Sequence, residues 1–387
     1  MDDRLTQTIT ELSGAARLTC VSPLTVSILD DAAKRWAGVG PYYAMMPTAF
    51  VLEQISRFTE PGDAVLDPFC GRGTIAFAAG VLGRSFFGVE IFPVGWVYAA
   101  AKCNPASERK ITKRLDQIAK DKPRAVENSD FFRMAFAPNV LKFLCAAREQ
   151  LDWKSDPVDR TLMAIILICL HDKSKIGLSN QMRQTKAVHP DYAVRWWRRK
   201  HKTNPPKIDP VEMLKNKIKW RYAKGRPKLE GKGKIYFGDC TKILSRESRI
   251  SDVKLLFTSP PYYEITNYFV DQWLRNWLLG GPPRPCSGNH PYMKRFDNKD
   301  VYRQLLNRAF KLAATKLRPD AVVLVRTDAR EFTLKTTREV LANIFPEKDL
   351  LIAPSRLKGR LSQTALFGDK QKKPGEIDML LTPAERR

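Results

Sequence analysis

The sequence predicts an α/β protein built on a doubly wound parallel sheet, and two patterns support this prediction. Between residues 62 and 104, strand, glycine loop, helix, strand and helix follow one another, which is how such a sheet begins. Further short apolar strands are predicted at 234–237, 253–257, 321–325, 350–353 and 377–381. The stretch between the two series does not continue the alternation, so an insertion is expected to interrupt the sheet.

The elements predicted between residues 62 and 104 place two acidic side chains at the ends of strands. Residues 64–66 form a short, fully apolar strand that ends at Asp67, and residues 75–82 are small and apolar enough for a helix packed closely on a sheet. The second strand, 84–89, ends at Glu90, and Pro93 stands where a helix would start. Asp67 and Glu90 are therefore expected at the carboxyl edge of the sheet.

The composition indicates a packed protein that binds a polyanion. Of the residues, 43% are hydrophobic and 10% aromatic, which disfavours intrinsic disorder. Lys and Arg number 66 against 41 Asp and Glu, a formal net charge of +25 with a sequence pI near 9.8. Such an excess of positive charge is typical of nucleic-acid binding, although it does not distinguish DNA from RNA.

Cysteine and histidine usage disfavours a disulfide framework and a metal site. The seven cysteines are scattered without a Cys-x-x-Cys pair, and the four histidines lack the spacing of a helix-borne metal site. The N-terminus lacks the pattern of a signal peptide, and the longest apolar run, 162–170, is too short to span a bilayer. We therefore expect a cytoplasmic protein with no metal and no membrane contact.

Residues 105–233 are predicted to form an inserted, mainly helical basic module for target recognition. They would separate a cofactor-binding half, 1–104, from a catalytic half, 234–387. Within 173–228, seventeen Lys or Arg face three acids and aromatic residues are interleaved, as expected where cations meet phosphates and rings meet bases. The candidate contacts are Arg183, Lys186, Arg195, Trp196, Arg198, Arg199 and Lys200. A solvated helix face is the alternative for 198–200.

The loop after the first strand is predicted to bind a nucleotide cofactor without a pyrophosphate. It departs from the Gly-x-Gly-x-x-Gly fingerprint and lacks the Gly-Lys-Ser/Thr ending of a phosphate loop. Its glycines would let the backbone approach a ligand closely, and Glu90 could accept hydrogen bonds from two ribose hydroxyls. The candidate residues of this loop are Asp67, Pro68, Phe69, Gly71, Gly73 and Thr74. An ordinary acidic residue at a strand end is the alternative for Glu90.

A second loop, Thr258-Ser259-Pro260-Pro261-Tyr262, follows the apolar strand 253–257. Consecutive prolines fix the backbone and remove two donors, which leaves their carbonyls free to accept bonds from an amino group. The Ser259 side chain and the Pro260 carbonyl would orient such an amine toward an electrophilic methyl group, and Tyr262 would stack on an extruded base. The alternative is a rigid structural loop. A hydrolase is disfavoured because the Gly-x-Ser-x-Gly elbow is absent.

Together, Asp67-Pro68-Phe69-x-Gly71-x-Gly73-Thr74 and the second loop resemble the cofactor and catalytic motifs of the amino-group DNA methyltransferases, which act on N4 of cytosine or N6 of adenine. The resemblance implies a seven-stranded methyltransferase sheet, S-adenosylmethionine as cofactor and direct transfer to a flipped base of double-stranded DNA. It further implies that Glu90 binds the ribose, that Asp239 lies near the adenine and the target pocket, and that Tyr42, in 42–52, covers the methionine part of the cofactor.

Serine at the first position of the catalytic tetrapeptide resembles the N4-cytosine members more than the N6-adenine members, which have Asp or Asn there. The expected function is therefore site-specific DNA methylation at N4 of cytosine in a prokaryotic or phage restriction-modification system, with a cognate nuclease as a possible separate partner. The alternatives are an N6-adenine DNA methyltransferase, an RNA base amino-methyltransferase and an inactive nucleic-acid-binding protein. The presence of both motifs disfavours the last.

Overall fold

The computed structural model describes residues 29–41, 45–171, 177–180, 182, 187–264, 268–285, 298–354 and 375–384. Seven strands form one sheet in the order β3-β2-β1-β4-β5-β7-β6. All neighbouring pairs are parallel except those of β7, which runs antiparallel to β5 and β6. The predicted doubly wound, seven-stranded sheet is thus confirmed. The strands are β1 Ala64–Asp67, β2 Ser85–Glu90, β3 Gly233–Phe237, β4 Val253–Thr258, β5 Leu317–Asp328, β6 Lys348–Pro354 and β7 Glu376–Pro383.

The order places β1 and β4 side by side at the centre, where the strand succession reverses direction. Leu66 of β1 pairs with Leu256 of β4, so the ends of the two strands, and the loops that follow, lie at one edge of the sheet. Ligands of open α/β sheets bind at this position because two loops diverge there and leave a crevice.

Helices cover both faces of the sheet, which is why strand residues alternate between two cores. Val65 and Leu255 pack in the larger core, whereas Leu66 and Leu256 pack in the smaller one. The helices before segment 105–233 are α1 Asp31–Ala37, α2 Thr48–Phe58, α3 Thr74–Val81 and α4 Pro93–Cys103. Those after it are α11 Cys240–Arg246, α12 Tyr268–Asp271, α13 Trp273–Leu278, α14 Lys299–Ala314 and α15 Glu331–Ile344.

The segment 105–233 contains six helices among its described residues: α5 Glu108–Ile118, α6 Asp130–Ala135, α7 Pro138–Gln150, α8 Pro157–Cys169, α9 Pro190–Arg199 and α10 Pro210–Tyr222. Their buried side chains, such as Leu115, Phe132 and Trp197, belong to the same core as Val97 of α4. The basic segment is therefore packed onto the larger core on one face of the sheet. Within the described ranges, no helix is long and apolar enough to cross a membrane.

Candidate active site

A cleft open to solvent lies at the carboxyl edge of the sheet beside β1 and β4. The loop after β1 and the loop after β4 form opposite parts of its lining, and Met45 and Met46, which precede α2, complete it. The lining residues are Met45, Met46, Asp67, Phe69, Cys70, Gly71, Arg72, Thr74, Ile75, Ser259, Pro260, Pro261, Tyr262 and Tyr268. The structure thus brings the two sequence motifs together in one cleft.

The glycine loop needs its glycines for backbone conformation and for packing. Gly71 and Gly73 have φ values of 52° and 74°, in the left-handed region that side chains disfavour. A Cβ on Gly73 would also lie 2.7 Å from Cβ of Ala99 in α4, too close for any residue but glycine. The loop therefore turns sharply from β1 into α3, with Gly71 and Thr74 at the cleft.

Asp67 connects the two loops. It is 3% exposed, and its Oδ1 accepts a 2.7 Å hydrogen bond from the Thr258 hydroxyl and a 3.2 Å bond from the Phe69 amide. Burial raises the pKa of Asp67 to about 7, although both hydrogen bonds oppose the rise. Pro68, which follows it, is buried.

Glu90, at the end of β2, lies directly behind the glycine loop. Its Oε2 accepts a 2.7 Å hydrogen bond from the Gly71 amide, and its Oε1 accepts one of the same length from the Phe92 amide. Burial raises the pKa of Glu90 to about 7 against these two bonds. Each carboxylate oxygen still has acceptor capacity after one bond, so the arrangement is compatible with ribose binding.

Of the two other residues predicted to bind the cofactor, the structure describes Asp239 but not Tyr42. Asp239 caps α11, because its Oδ1 accepts hydrogen bonds of 2.9 Å and 2.8 Å from the Thr241 amide and hydroxyl. The Gly238 amide bonds to the Glu90 carbonyl at 2.9 Å, so the ends of β2 and β3 lie together. Tyr42 lies outside the described residues.

The backbone of the second loop is anchored from the opposite side of the sheet. The Tyr302 hydroxyl donates a 3.0 Å hydrogen bond to the Pro261 carbonyl, so the expectation that both proline carbonyls are free is wrong. Arg330 donates to the Tyr263 carbonyl, and the Tyr263 ring packs on Tyr302 and Phe332 with centroids 5.6 Å and 4.8 Å apart. These contacts hold the loop in one conformation.

Tyr262 and Ser259 are joined to an acid that was not predicted from the sequence. The Ser259 hydroxyl donates to the Tyr262 hydroxyl at 3.4 Å, which in turn donates to Oε1 of Glu376 at 3.1 Å. Tyr262 is only 4% exposed, and burial raises its pKa well above the ordinary value. Glu376 is the first residue of β7, and burial raises its pKa as well.

Glu376 belongs to a buried charged cluster behind the cleft. Arg326 of β5 donates to Asp378 of β7 from Nε at 2.7 Å and from Nη2 at 2.8 Å, and its Nη1 lies 3.8 Å from Oε2 of Glu376. The guanidinium also stacks 4.0 Å from the centroid of Phe50 in α2. All three charged residues are at most 6% exposed. Two acids two residues apart in an apolar strand were the available signal, because such charges face inward only when paired.

Those predicted nucleic-acid contacts that the structure describes lie on α9 and at its C-terminal end. Arg195, Arg198, Arg199 and Lys200 are exposed and Trp196 is half-buried, whereas Arg183 and Lys186 lie outside the described residues. Arg198 is paired with Asp130 at 2.6 Å. The neighbouring Trp197 is buried in the core.

The start of α9 is bonded to the segment that follows the second loop. The Ala187 amide donates to the Asp271 carbonyl at 2.8 Å, and the Trp273 indole donates to the Val188 carbonyl at 3.1 Å. Tyr268, three residues before Asp271, lines the cleft. The basic helix is therefore attached to the wall of the cleft. No group of three His, Cys, Asp or Glu that could hold a metal occurs among the described residues.

Residues 25–94, which contain the glycine loop and Glu90, match a family model of N6 and N4 methyltransferases described as DNA methylase. Over 54 residues the chain is 39% identical to a Type II methyltransferase, M.Cfr9I, of Citrobacter freundii. This match covers 14% of the chain and 18% of that protein, so the chain spans less than a fifth of the relative's length.

Solved structures that the chain matches over most of its length include an rRNA methyltransferase, aviRa, of Streptomyces viridochromogenes, with 15% identity over 91% of this chain and 93% of that one and a TM-score of 0.33. Another is a geranyl diphosphate C-methyltransferase of Streptomyces coelicolor A3(2), with 8% identity over 94% and 99% of the two chains and a TM-score of 0.32. The strand order of the present sheet, and not these distant similarities, identifies its fold.

Proposed function

We propose that this chain, a member of the amino-group DNA methyltransferase family, transfers a methyl group from S-adenosylmethionine to an exocyclic amino group of a DNA base. The observation that supports this most is the meeting of two loops. The cofactor loop matched by the family and the Ser-Pro-Pro-Tyr loop line one cleft, where the Thr258–Asp67 hydrogen bond ties one to the other. A donor bound by the first loop would face an acceptor bound by the second.

The residues at the cleft fit S-adenosylmethionine. Met45, Met46, Phe69 and Ile75 offer apolar surface, Gly71 offers close backbone approach, and the buried Glu90 carboxylate lies behind Gly71 to accept ribose hydroxyls. The bound cofactor would supply an electrophilic methyl group on a sulfonium sulfur.

Arg72 is a fitting partner for the carboxylate of the amino-acid part of the cofactor. The side chain lines the cleft, where its Nη1 donates to the Gly40 carbonyl at 3.1 Å and its Nε to the Thr74 hydroxyl at 3.3 Å. Burial lowers its pKa to about 10, so it still carries its charge at neutral pH. These two hydrogen bonds hold the guanidinium beside the glycine loop.

The catalytic loop is suited to orient a weakly nucleophilic amine. The single hydroxyl proton of Ser259 is directed to Tyr262, so its oxygen can accept an N–H of the base, and the Pro260 carbonyl can accept the second. Two acceptors fix the plane of the amino group and turn its nitrogen toward the methyl group, which lowers the barrier mainly through orientation. Pro261 is held by Tyr302, so these acceptors do not have to be organised when the base binds.

We further propose N4 of cytosine as the target, reached by flipping the base from double-stranded DNA. A neutral serine at position 259 favours this over N6 of adenine through the family resemblance. Tyr262 would stack on the flipped base, and α9 would contact the phosphates through Arg195, Arg199 and Lys200. The connection of α9 to the cleft wall through Asp271 supports this assignment.

Incubation of the protein with labelled cofactor and, separately, with DNA and RNA tests the function. We expect label in DNA alone, and mass analysis of the nucleosides to find N4-methylcytosine. N6-methyladenine as the product would contradict the base assignment, and label in RNA alone, or in neither, would contradict the function. Ser259→Ala should lose at least about tenfold in turnover with cofactor affinity unchanged. Ser245→Ala, an exposed serine on α11, is the matched control.

A restriction-modification role, with a separate cognate nuclease, adds a further expectation. Such an enzyme modifies one short sequence so that a nuclease is excluded from it. Sequencing of the modified positions in plasmid DNA from cells that express the chain should therefore give a single sequence context. Modification spread over unrelated contexts would contradict this role.

A further inference from the structure

Amine methylation leaves a proton to be removed, and the two residues proposed to contact the amine cannot take it. When the N–C bond forms and the S–C bond of the donor breaks, the donor becomes the neutral thioether and the attacking nitrogen acquires a positive charge. One N–H proton must then leave as the amine regains its lone pair. The two residues placed at the amine, Ser259 and Pro260, offer a neutral hydroxyl and a carbonyl, and neither is a base at neutral pH.

The structure contains a chain of hydroxyl groups that runs from this point into the protein. Ser259 Oγ donates to Tyr262 Oη at 3.4 Å, and Tyr262 Oη donates to Glu376 Oε1 at 3.1 Å. Both donors point the same way, away from the cleft and toward the carboxylate. Each hydroxyl can accept one proton while it passes on its own, so a proton entering at Ser259 leaves at Glu376.

We propose that Glu376 is the proton acceptor of the methyl transfer, acting through Tyr262 and Ser259. This inference rests on the proposed function. The methylated amine gives a proton to Ser259 Oγ, Ser259 gives its own to Tyr262 Oη, and Tyr262 gives its own to Glu376, which becomes a neutral carboxylic acid. The two hydroxyls end the step as they began, and the positive charge of the donor is balanced by the lost carboxylate charge.

The groups around Glu376 allow it to exist either as a carboxylate or as a neutral carboxylic acid. Arg326 of β5 faces it with Nη1 3.8 Å from Oε2, Tyr262 bonds to its Oε1, and Asp378 of the same strand and Asp328 of β5 add negative charge. Burial and the two aspartates raise the pKa of Glu376, whereas Arg326 and Tyr262 lower it. When Glu376 takes a proton, Arg326 keeps its two-pronged pair with Asp378, so no buried cation is left unpaired.

Tyr262 as a merely structural residue is the competing explanation, and a pH profile distinguishes it. We would measure single-turnover methyl transfer, with saturating cofactor, from pH 5 to 9 for wild type, Glu376→Gln and Tyr262→Phe. The ratio of the wild-type rate to the Glu376→Gln rate should rise with pH as Glu376 loses its proton and then level off at about tenfold or more. Asp67 and Glu90 titrate in both proteins, so their effects cancel in the ratio. A ratio that stays constant with pH overturns the inference.

A double variant tests whether the two residues act in one chain. Tyr262→Phe interrupts the same chain, so Tyr262→Phe with Glu376→Gln should be no slower than either single variant. Losses that multiply would overturn the inference. Glu339→Gln, an exposed acid on α15, is the matched control. Should Glu376→Gln fail to fold, the pH dependence of the wild-type to Tyr262→Phe ratio decides the question alone.

An infrared titration tests the connection without requiring turnover. The C=O stretch of protonated Glu376 is the carboxylic-acid band that wild type shows and Glu376→Gln lacks. It should shift in Tyr262→Phe, because that variant cannot form the 3.1 Å hydrogen bond. An unshifted band overturns the inference whether or not the chain methylates DNA. A shifted band with no methyl transfer to any nucleic acid would instead contradict the proposed function.

Discussion

The Thr258 hydroxyl, at the end of β4, donates a 2.7 Å hydrogen bond to Asp67 Oδ1, at the end of β1, across 191 residues of sequence. Both side chains are buried, Thr258 completely. Asp67 begins the loop proposed to bind the cofactor, and Thr258 begins the loop proposed to orient the amine. One hydrogen bond thus fixes the relative position of the two loops between which a methyl group would pass.

Thr258→Val should loosen this connection while it preserves the shape of the side chain. A hydrogen bond to a charged acceptor contributes about 1.5–3 kcal/mol, so the free energy of unfolding should fall by that amount at pH 8, where Asp67 is mainly ionised. Because the bond lowers the pKa of Asp67, the loss should be smaller at pH 6, where the carboxyl is mainly protonated. Urea unfolding at both pH values measures it.

Thr333→Val is the matched control for that substitution. Thr333 is also buried, on α15, but its hydroxyl has no hydrogen-bond partner. Removal of an unpaired buried hydroxyl should leave stability unchanged or raise it. Equal losses in the two variants, or a loss at Thr258 that does not depend on pH, would show that the Asp67 bond has no special role.

Cofactor affinity should weaken as the pH falls through about 7, because Glu90, the proposed acceptor of the ribose hydroxyls, would accept best as a carboxylate and its pKa is about 7. Well below this pH the dissociation constant should rise by up to about tenfold per pH unit. Calorimetric titration from pH 5.5 to 8.5 measures this. Glu90→Gln should bind weakly at pH 8 and lose the part of the pH dependence that Glu90 causes, whereas the exposed Glu108→Gln should match wild type.

The contribution of Glu90 to stability should change with pH in the opposite direction. The pKa of Glu90 in the folded chain lies above the value of about 4.3 in an unfolded chain, so the folded state holds its proton more tightly. Its contribution to stability is largest below about pH 4.3 and is lost as the pH rises to about 7. If cofactor binding weakens at pH 6 while the free energy of unfolding does not fall, protonation of Glu90 explains the weaker binding. If affinity and stability fall together, this explanation is contradicted.

The fold and most of the cleft could be predicted from the sequence because they depend on local patterns. Apolar runs that end in an acid identified β1 and β2, and the glycine and Ser-Pro-Pro-Tyr loops follow strands whose ends must share one edge in a parallel sheet. This pattern predicts that Asp67 and Ser259 lie at the cleft, and both line it.

Glu376 and Tyr302 could not be predicted because their roles depend on pairing between distant segments. Glu376 reaches Tyr262 across 114 residues, through a strand that enters the sheet in the antiparallel direction between β5 and β6. Tyr302 reaches the Pro261 carbonyl from α14, on the other face of the sheet. Neither residue lies in a motif, and a hydrogen bond of this kind leaves no periodic pattern in the sequence.

Lys102→Met should stabilise the protein. Lys102 is fully buried on α4, its amine has no hydrogen-bond partner, and burial, with the Arg72 charge second, lowers its pKa well below the ordinary value. Because its pKa is lowered by folding, the folded chain gives up this proton at a lower pH than the unfolded chain does, so the contribution of Lys102 to stability should rise with pH. Methionine should add about 1–3 kcal/mol to the free energy of unfolding at pH 7 and remove that dependence. The exposed Lys110→Met should change neither, and a destabilised Lys102→Met would contradict the argument.

Loss of the charges on α9 should weaken DNA binding uniformly across sequences. Arg195, Arg199 and Lys200 are exposed, so their replacement by alanine should leave the fold intact. Removal of each cation that neutralises a phosphate should reduce the slope of log K against log salt by about 0.9, so the triple variant should bind with a slope shallower by about 2–3.

The control for α9 changes the same charge elsewhere, with Lys311, Lys335 and Arg338 of α14 and α15 replaced by alanine. This triple variant carries the same net charge but keeps α9, so its salt slope should stay near that of wild type. Fluorescence anisotropy with one duplex at several salt concentrations measures both variants. A contact between α9 and the phosphates releases counterions, so only the α9 variant should lose slope. Equal slopes in the two variants would mean that DNA binding depends on net charge alone and would contradict a contact at α9.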